Sequence, residues 1–200
     1  GAMRSTQNPH IVNLAGVVPG GVGGPAVLAR FGFISDITVA PDGSIYLLEN
    51  TYGNVVWRID PSGIVQAVAG DLSFGDSFGN IVDDTLAVQA ELRDARGLTV
   101  DREGTVYLVT DVNRFQPLHR SLVVAITPDG KIRAVAGRAT ACPAPGALGC
   151  GLGGPALAAK IDGLQSVKID PDGRLVGLAA NYIFRITTDL PPMGPDGFRR

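Results

Sequence analysis

The sequence predicts an all-β protein: a β-propeller with about three four-stranded antiparallel blades in this chain. Three observations predict this fold. The chain repeats itself three times, each repeat consists of short β-branched runs between turn residues, and these runs are apolar on both faces. The repeat is clearest in a short apolar segment ending in Gly, which occurs at residues 11–16, 65–70 and 132–137. A period of roughly 55 to 70 residues, rich in short β runs, indicates an array of small sheets.

Turn residues occur at the same places in each repeat. Asp42-Gly43, Glu103-Gly104 and Asp172-Gly173 each separate two apolar runs, which is a hairpin signal. Ser62-Gly63 and Asp129-Gly130 are predicted to form the same kind of turn immediately before the segments that end in Gly. Each repeat is therefore a meander of four antiparallel strands with the Gly-ending strand outermost, and such a sheet, when repeated, is a propeller blade.

The strands and their connections both fit stacked blades. Residues 45–48 and 55–57 are apolar on both faces, as expected for a sheet that lies between two other sheets. The connection at 23–26 matches the one at 153–156, both reading Gly-Gly-Pro-Ala, and residues 84–87 align with them without the proline. A proline at a first helical position, followed by alanines, predicts a single helical turn. This turn would lead from the outer edge of one blade to the inner strand of the next.

Composition and charge exclude several classes of function. Hydrophobic residues make up 45% of the chain, which is enough for a core, but no apolar run is long enough to span a membrane. The net charge of -2, without a basic cluster, argues against nucleic acid or an anionic membrane as partner. We expect residues 1–10 to be a cloning scar and a flexible N-terminus, 11–188 the propeller, and 189–200 a tail or linker of a longer protein.

The two cysteines lie close together in the connection of the third repeat. Seven residues separate Cys142 from Cys150, and they include two prolines and a glycine, so the two sulfurs can meet. We expect a disulfide rather than two free thiols, and zinc is disfavoured because no histidine lies nearby to complete a tetrahedral site. A disulfide predicts an extracellular or cell-surface location.

The repeated segments together resemble the NHL repeat. They are Val-Ala-Gly, a loop with Gly-Gly-Pro-Ala, a strand pair around Pro-Asp-Gly, and then Asn54-x-x-x-Arg58-Ile59. Over residues 11–188 the long form is similar to the propeller of teneurins and of bacterial teneurin-like, tyrosine-aspartate-repeat and toxin-delivery proteins. This resemblance implies a six-bladed ring, of which the chain would form half. The NHL pattern usually has Asp after the Tyr strand, whereas the three repeats have Asn50, Asp111 and Ala180.

No set of residues in the sequence predicts catalysis. The chain has no nucleophile elbow, no paired metal-binding histidines and no Cys-His pair, so we expect no enzymatic activity, no metal and no cofactor. The acidic segment 71–84 could bind calcium, but a solvated connection is favoured because its spacing differs from an EF-hand loop. Aromatic and basic side chains in two loops are the candidate binding residues, because exposed aromatics dominate binding hot spots; an equal alternative is that the aromatics face the core. These are Phe74, Phe78, Arg114, Phe115, His119 and Arg120.

The predicted function is a non-catalytic protein-interaction or scaffold module of a larger secreted or cell-surface protein. Its ligand, a protein or a glycan, is not specified by the sequence. The resemblance leaves two alternatives, an extracellular sensor domain of a bacterial receptor kinase and a metal-dependent lyase or lactonase propeller. Three blades do not close a ring, so a homodimer or blades elsewhere in the parent chain would complete it. The two terminal blade faces, with Trp57 on one, are expected to be uncovered.

Overall fold

The structure is a computed structural model that describes residues 23–51, 53–71, 81–112, 120–138, 153–161, 163–180 and 182–187. These residues form three antiparallel sheets with almost no helix, which confirms the all-β prediction. No helix in this part of the chain is long and apolar enough to cross a membrane. The first sheet, in spatial order, contains β1 (Ile34–Val39), β2 (Ile45–Glu49), β3 (Val55–Ile59) and β4 (Val65–Ala69).

The second and third sheets repeat this meander with different numbers of strands. The second sheet has the spatial order β5-β9-β8-β7-β6, where β5 is Thr85–Leu86, β6 Arg96–Val100, β7 Val106–Val112, β8 Arg120–Ile126 and β9 Lys131–Ala136. The third sheet contains β10 (Leu164–Ile169), β11 (Leu175–Ala179) and β12 (Tyr182–Ile186). Among the described residues, the first sheet has the expected four strands, the second has five, and the third has the three strands at which the last repeat was expected to stop. In the second sheet the Gly-ending strand β9 is not outermost, because β5 pairs with its outer edge.

The predicted hairpins form at the Gly-containing turns. In the first, Ala40 N–H donates to the Ser44 carbonyl at 2.8 Å and Gly43 N–H to the Ala40 carbonyl at 3.0 Å. Gly43 has φ of 86°, a left-handed conformation that glycine adopts without steric cost. The corresponding glycines of the other four predicted turns also have positive φ. The turn residues therefore set the strand boundaries.

A short 3-10 turn precedes the first strand of each sheet, at Ala26–Leu28, Ala87–Gln89 and Ala156–Ala158. The second turn joins two sheets, because Gly70 N–H donates to the Ala87 carbonyl at 2.9 Å while Ala87 N–H donates to Gly130 at 2.8 Å. Residues 84–87 thus run along the outer edge of the second sheet before the chain enters β6, a pairing that the sequence did not predict. The prolines are placed differently from the prediction, since Pro25 and Pro155 precede the turns with extended ψ angles of 134° and 132°.

The three sheets are stacked, with the second sheet in the middle. Their first strands are neighbours, β6 lying between β1 and β10. Leu48 and Val56 of the first sheet share a core with the second sheet, and Val109 and Val123 of the second share one with the third. Burial on both faces explains why these strands are apolar throughout. Trp57, expected on an uncovered face, is instead buried at 8% exposure beneath connection residues of its own sheet.

Candidate functional site

The Gly-containing turns that join the first strand of each sheet to its second, and the third to the fourth, lie at one end of the sheets, which we call the hairpin end. It contains the turns at residues 40–44, 60–64, 101–105, 127–131 and 170–174. Aspartates stabilise these turns by accepting hydrogen bonds from the backbone. Asp60 Oδ1 accepts from the Ser62 hydroxyl at 2.6 Å and from Ile64 N–H at 3.0 Å, and these bonds lower the pKa of its carboxyl.

In the first sheet Asp42 hydrogen-bonds within its own turn and also forms an ion pair with Arg58. Its Oδ1 accepts from Ser44 N–H at 2.8 Å and its Oδ2 from the Ser44 hydroxyl at 2.9 Å. Arg58, across the sheet, lies 3.2 Å from the same carboxylate. The bonds from Ser44 and the charge of Arg58 together lower the pKa of Asp42. The carboxylate is therefore ionised and held in place at neutral pH.

In the second sheet Asp101 stabilises its turn by accepting hydrogen bonds, and a tyrosine is an additional donor to it. Its Oδ1 accepts from Thr105 N–H at 2.7 Å and from Glu103 N–H at 3.0 Å, and its Oδ2 accepts from the Tyr107 hydroxyl at 3.0 Å. Burial, followed by the negative charge of Asp101, raises the pKa of Tyr107 to about 12. Asp101 thus stabilises the protonated phenol.

A cavity of about 150 Å³ lies at the hairpin end between the first and second sheets. Tyr46 contributes a phenol that is only 7% exposed. Burial raises the pKa of Tyr46, while the positive charge of the nearby Arg58 acts in the opposite direction. The remaining walls come from the two adjacent turns, and are Ala40, Pro41, Asp42, Asp101, Arg102, Glu103 and Gly104.

Side chains on the first strands connect all three sheets. Asp36 on β1 accepts from Leu98 N–H on β6 at 2.7 Å. Lys168 on β10 donates to the Leu98 carbonyl at 2.7 Å and lies 3.3 Å from Asp36. Asp36 and Lys168 are 132 positions apart in the chain, yet they form an ion pair. The stacking of repeats therefore brings distant polar residues together.

A second polar cluster lies at the opposite end, where β7 ends. Arg96 Nη2 donates to both Asp111 carboxylate oxygens, at 2.8 and 2.9 Å, and Ser121 donates to the same Asp111 at 2.7 Å. Arg96 Nε also donates to the Leu164 carbonyl of the third sheet at 2.6 Å. In the first sheet Asn50, at the repeat position of Asp111, instead donates to the Ala95 carbonyl of the second sheet at 3.0 Å. Asn50 thus links neighbouring sheets directly, whereas Asp111 does so only through Arg96.

Two outward sheet faces, on the first and third sheets, carry exposed apolar residues whose equivalents in the other repeats are buried. On β1, Ile37 is 57% exposed, whereas its counterparts Leu98 and Val167 are fully buried. On the third sheet the paired residues Leu178 and Ile183 are 43% and 72% exposed. The corresponding pairs, Leu48 with Val56 and Val109 with Val123, are fully buried between sheets.

The binding residues predicted from sequence are not brought together by the described part of the chain. Phe74, Phe78, Arg114, Phe115 and His119 lie outside it, as do both cysteines, Cys142 and Cys150. Arg120 begins β8, where its backbone pairs with Val112. Among the described residues, no group of three or more His, Cys, Asp or Glu side chains is placed to hold a metal ion.

The sequence predicted two uncovered terminal faces but did not identify the residues on them, and it did not identify the cavity. One signal was available for the cavity: the repeat alignment places Ala40 where the other two repeats have Asp101 and Asp170. No comparable signal marked the residues of the two faces, because apolar residues at equivalent positions are buried in one sheet and exposed in another.

Comparison with curated proteins finds similarity to teneurin-1 over most of the chain. The chain is 28% identical to mouse teneurin-1 and 29% identical to chicken teneurin-1, in each case over 154 residues or 73% of the chain. It spans 5% of the length of these curated relatives. No protein-family model matches the chain. The NHL assignment therefore has no support from a family match.

The solved structures that resemble this chain are propeller-type proteins. A protein of unknown function from Bacteroides thetaiotaomicron has a TM-score of 0.51 and 21% identity, covering 72% of this chain and 32% of its own. An auxiliary nutrient binding protein from the same organism has a TM-score of 0.52 and 17% identity, covering 74% of this chain and 36% of its own.

The prediction that the domain is not an enzyme is contradicted by two further neighbours, which are named gluconolactonases. One is from Xanthomonas campestris, and both are 15% identical, with TM-scores of 0.44 and 0.45. They assign no reaction to this chain, but a lack of catalytic motifs no longer excludes one. The physical reason is visible in Asp36 and Lys168: stacked repeats assemble polar groups from distant positions, so a contiguous motif is not required.

Proposed function

We propose that this chain is a section of an NHL-type β-propeller that serves as an interaction module in a larger extracellular protein. The similarity to teneurin-1 and the propeller-type neighbours support this assignment. Residues 11–188 form the propeller section in this proposal, flanked by the N-terminal segment 1–10 and the tail or linker 189–200. The parent protein would supply the other domains.

The pair of exposed sheet faces is the observation that carries the proposal. Within the chain, two contacts between sheets use the equivalents of these faces. The face equivalent to that of Leu178 and Ile183 on one sheet packs against the face equivalent to that of Ile37 on the next sheet. The first and third sheets therefore present the two complementary halves of the same contact. Covering them would remove apolar surface from water, worth about 25 cal/mol per Å². Each face is suited to accept another sheet.

A second copy of the chain can cover both faces. The third sheet of each copy would pack against the first sheet of the other. Such a homodimer would form a six-bladed ring with two identical contacts. The competing occupant is additional blades of the parent protein. Single exposed apolar residues need no explanation, but these occur at positions used for packing in the other repeats.

Sedimentation velocity at micromolar concentration tests the proposed assembly. We expect a dimer for the unmodified chain and a monomer for Ile183→Glu, because a carboxylate in the contact is costly to bury. Val82→Glu is the matched control, since Val82 is 58% exposed but belongs to neither face. It should remain dimeric, and circular dichroism should show all three proteins folded. A monomeric unmodified chain would leave the parent protein's own blades as the occupant.

The disulfide and the loop residues complete the proposal. We place a Cys142–Cys150 bridge in the connection of the third repeat, consistent with an extracellular location. Phe74, Phe78, Arg114, Phe115, His119 and Arg120 are proposed to contact the partner, which is a protein or a glycan. Thiol titration under denaturing conditions tests the bridge, and two reactive thiols per chain would contradict it.

A further inference from the structure

The cavity at the hairpin end exists because one repeat lacks a side chain that the other two have. Asp101 and Asp170 accept hydrogen bonds from the backbone of their own turns, and Asp101 also accepts a hydrogen bond from the Tyr107 hydroxyl. In the first repeat Ala40 occupies that position, although the tyrosine, Tyr46, is retained. The alanine methyl group cannot accept a hydrogen bond. A space therefore opens next to the buried Tyr46 phenol. In the second repeat, the Tyr107 phenol contacts the Asp101 carboxylate at the equivalent position.

The polar groups around this space include both donors and acceptors. The Tyr46 hydroxyl, on a side chain that is only 7% exposed, can both donate and accept a hydrogen bond in this space. Arg102 is a further donor, while Asp42, Asp101 and Glu103 supply acceptors. The three carboxylates of the lining outnumber its one guanidinium, which disfavours an anionic ligand. A simple cation would attract the carboxylates but would leave Arg102 without an acceptor. Hydroxyl groups suit both kinds of partner, because each donates and accepts.

We infer that this cavity binds a terminal sugar residue of a glycan. The inference rests on the proposed interaction function and specifies its ligand. At about 150 Å³ the cavity exceeds the ~30 Å³ share of one water molecule several-fold, so it admits part of a sugar ring. Neighbouring hydroxyls of the ring would accept from Tyr46 and Arg102 and donate to Glu103 and Asp101. Because the walls come from two adjacent turns, the ligand would lie between the first and second sheets.

Saturation-transfer NMR with methyl glucoside, methyl galactoside and methyl mannoside as probes tests this site, with acetamide as a neutral amide probe. We expect transfer to at least one glycoside and none to acetamide. Ala40→Asp should abolish transfer, because it restores the carboxylate found in the other repeats. Tyr46→Phe should weaken binding by about tenfold, since one hydrogen bond is lost. Ala180→Asp adds the same charge at an exposed position at the opposite end, and should bind like the unmodified chain.

Three outcomes would overturn the inference: no transfer to any glycoside, equal transfer in Ala40→Asp, or transfer to acetamide alone. Thermal unfolding of each variant shows whether it is folded, and Tyr46→Phe provides an independent variant if Ala40→Asp is not. Failure here is distinguishable from failure of the proposed assembly, which is measured by sedimentation with substitutions at Ile183 and Val82.

Discussion

At the scale of single residues, Arg96 is a clear example of a polar contact between sheets. Its guanidinium binds Asp111 in its own sheet and the Leu164 carbonyl in the next, and its side chain is 31% exposed. Arg96→Gln should lower the free energy of unfolding by about 2 kcal/mol, because it leaves the largely buried Asp111 without its cation. Arg185→Gln should cost under ~1 kcal/mol, because Arg185 is 51% exposed and Asp170 keeps its second partner, Arg174. Urea denaturation measures both, and equal losses would contradict the role of Arg96.

Tyr107 predicts a specific response to high pH. Its pKa in the folded protein is about 12, above the ordinary value of 10.0, so folding favours the protonated phenol. The resulting stabilisation is fully present below pH 10 and is lost as the pH rises towards 12. Ultraviolet titration of the phenolate, compared with Tyr107→Phe, should isolate one tyrosine that titrates near pH 12. Asp101→Asn should lower that pKa, and an unchanged titration would show that Asp101 does not contribute.

At the scale of strands, a close contact of β6 with β10 depends on one glycine. Gly97 has φ of 63°, and a Cβ at this position would lie 2.5 Å from Ser166 Cα. Gly130 also has positive φ, 79°, but a Cβ there would meet no atom within 4 Å. Gly130→Ala should cost about 1–2 kcal/mol from backbone strain alone. Gly97→Ala should cost about 2 kcal/mol more from overpacking. Chemical denaturation compares the two variants, and similar losses would contradict the tight contact.

The strand order within each sheet could be predicted from sequence because local chemistry determines it. Each predicted turn has a glycine at the position that needs positive φ, as Gly43 shows. Strand β5 could not be predicted, because a two-residue strand exists only through its pairing with β9. Burial of Trp57 also depends on distant residues, including Phe31, whose ring lies 6.0 Å away. The cavity was missed for a similar reason: the repeat alignment marks Ala40 as a missing carboxylate, but whether a space opens there depends on the neighbouring turn of the second sheet.

At the scale of the whole molecule, the order of the sheets determines how copies can associate. Each contact within the chain joins two different faces, one from each sheet. A dimer that used the same two faces would repeat this arrangement twice, rather than pairing one face with itself. Ile37 and Ile183 would then lie in the same contact but on opposite partners. This arrangement predicts a specific pattern of complementation between variants.

Ile37→Glu and Ile183→Glu should each be monomeric alone, because either substitution damages both contacts of the symmetric dimer. When the two variants are mixed, one contact joins an intact third sheet to an intact first sheet, while both substitutions fall in the other contact. The mixture should therefore associate, more weakly than the unmodified chain. Sedimentation of each variant and of an equimolar mixture measures this. If each face instead paired with its own copy, each variant would retain one intact contact and could dimerise alone. Dimers of the single variants, without further association on mixing, would therefore rule out the head-to-tail arrangement.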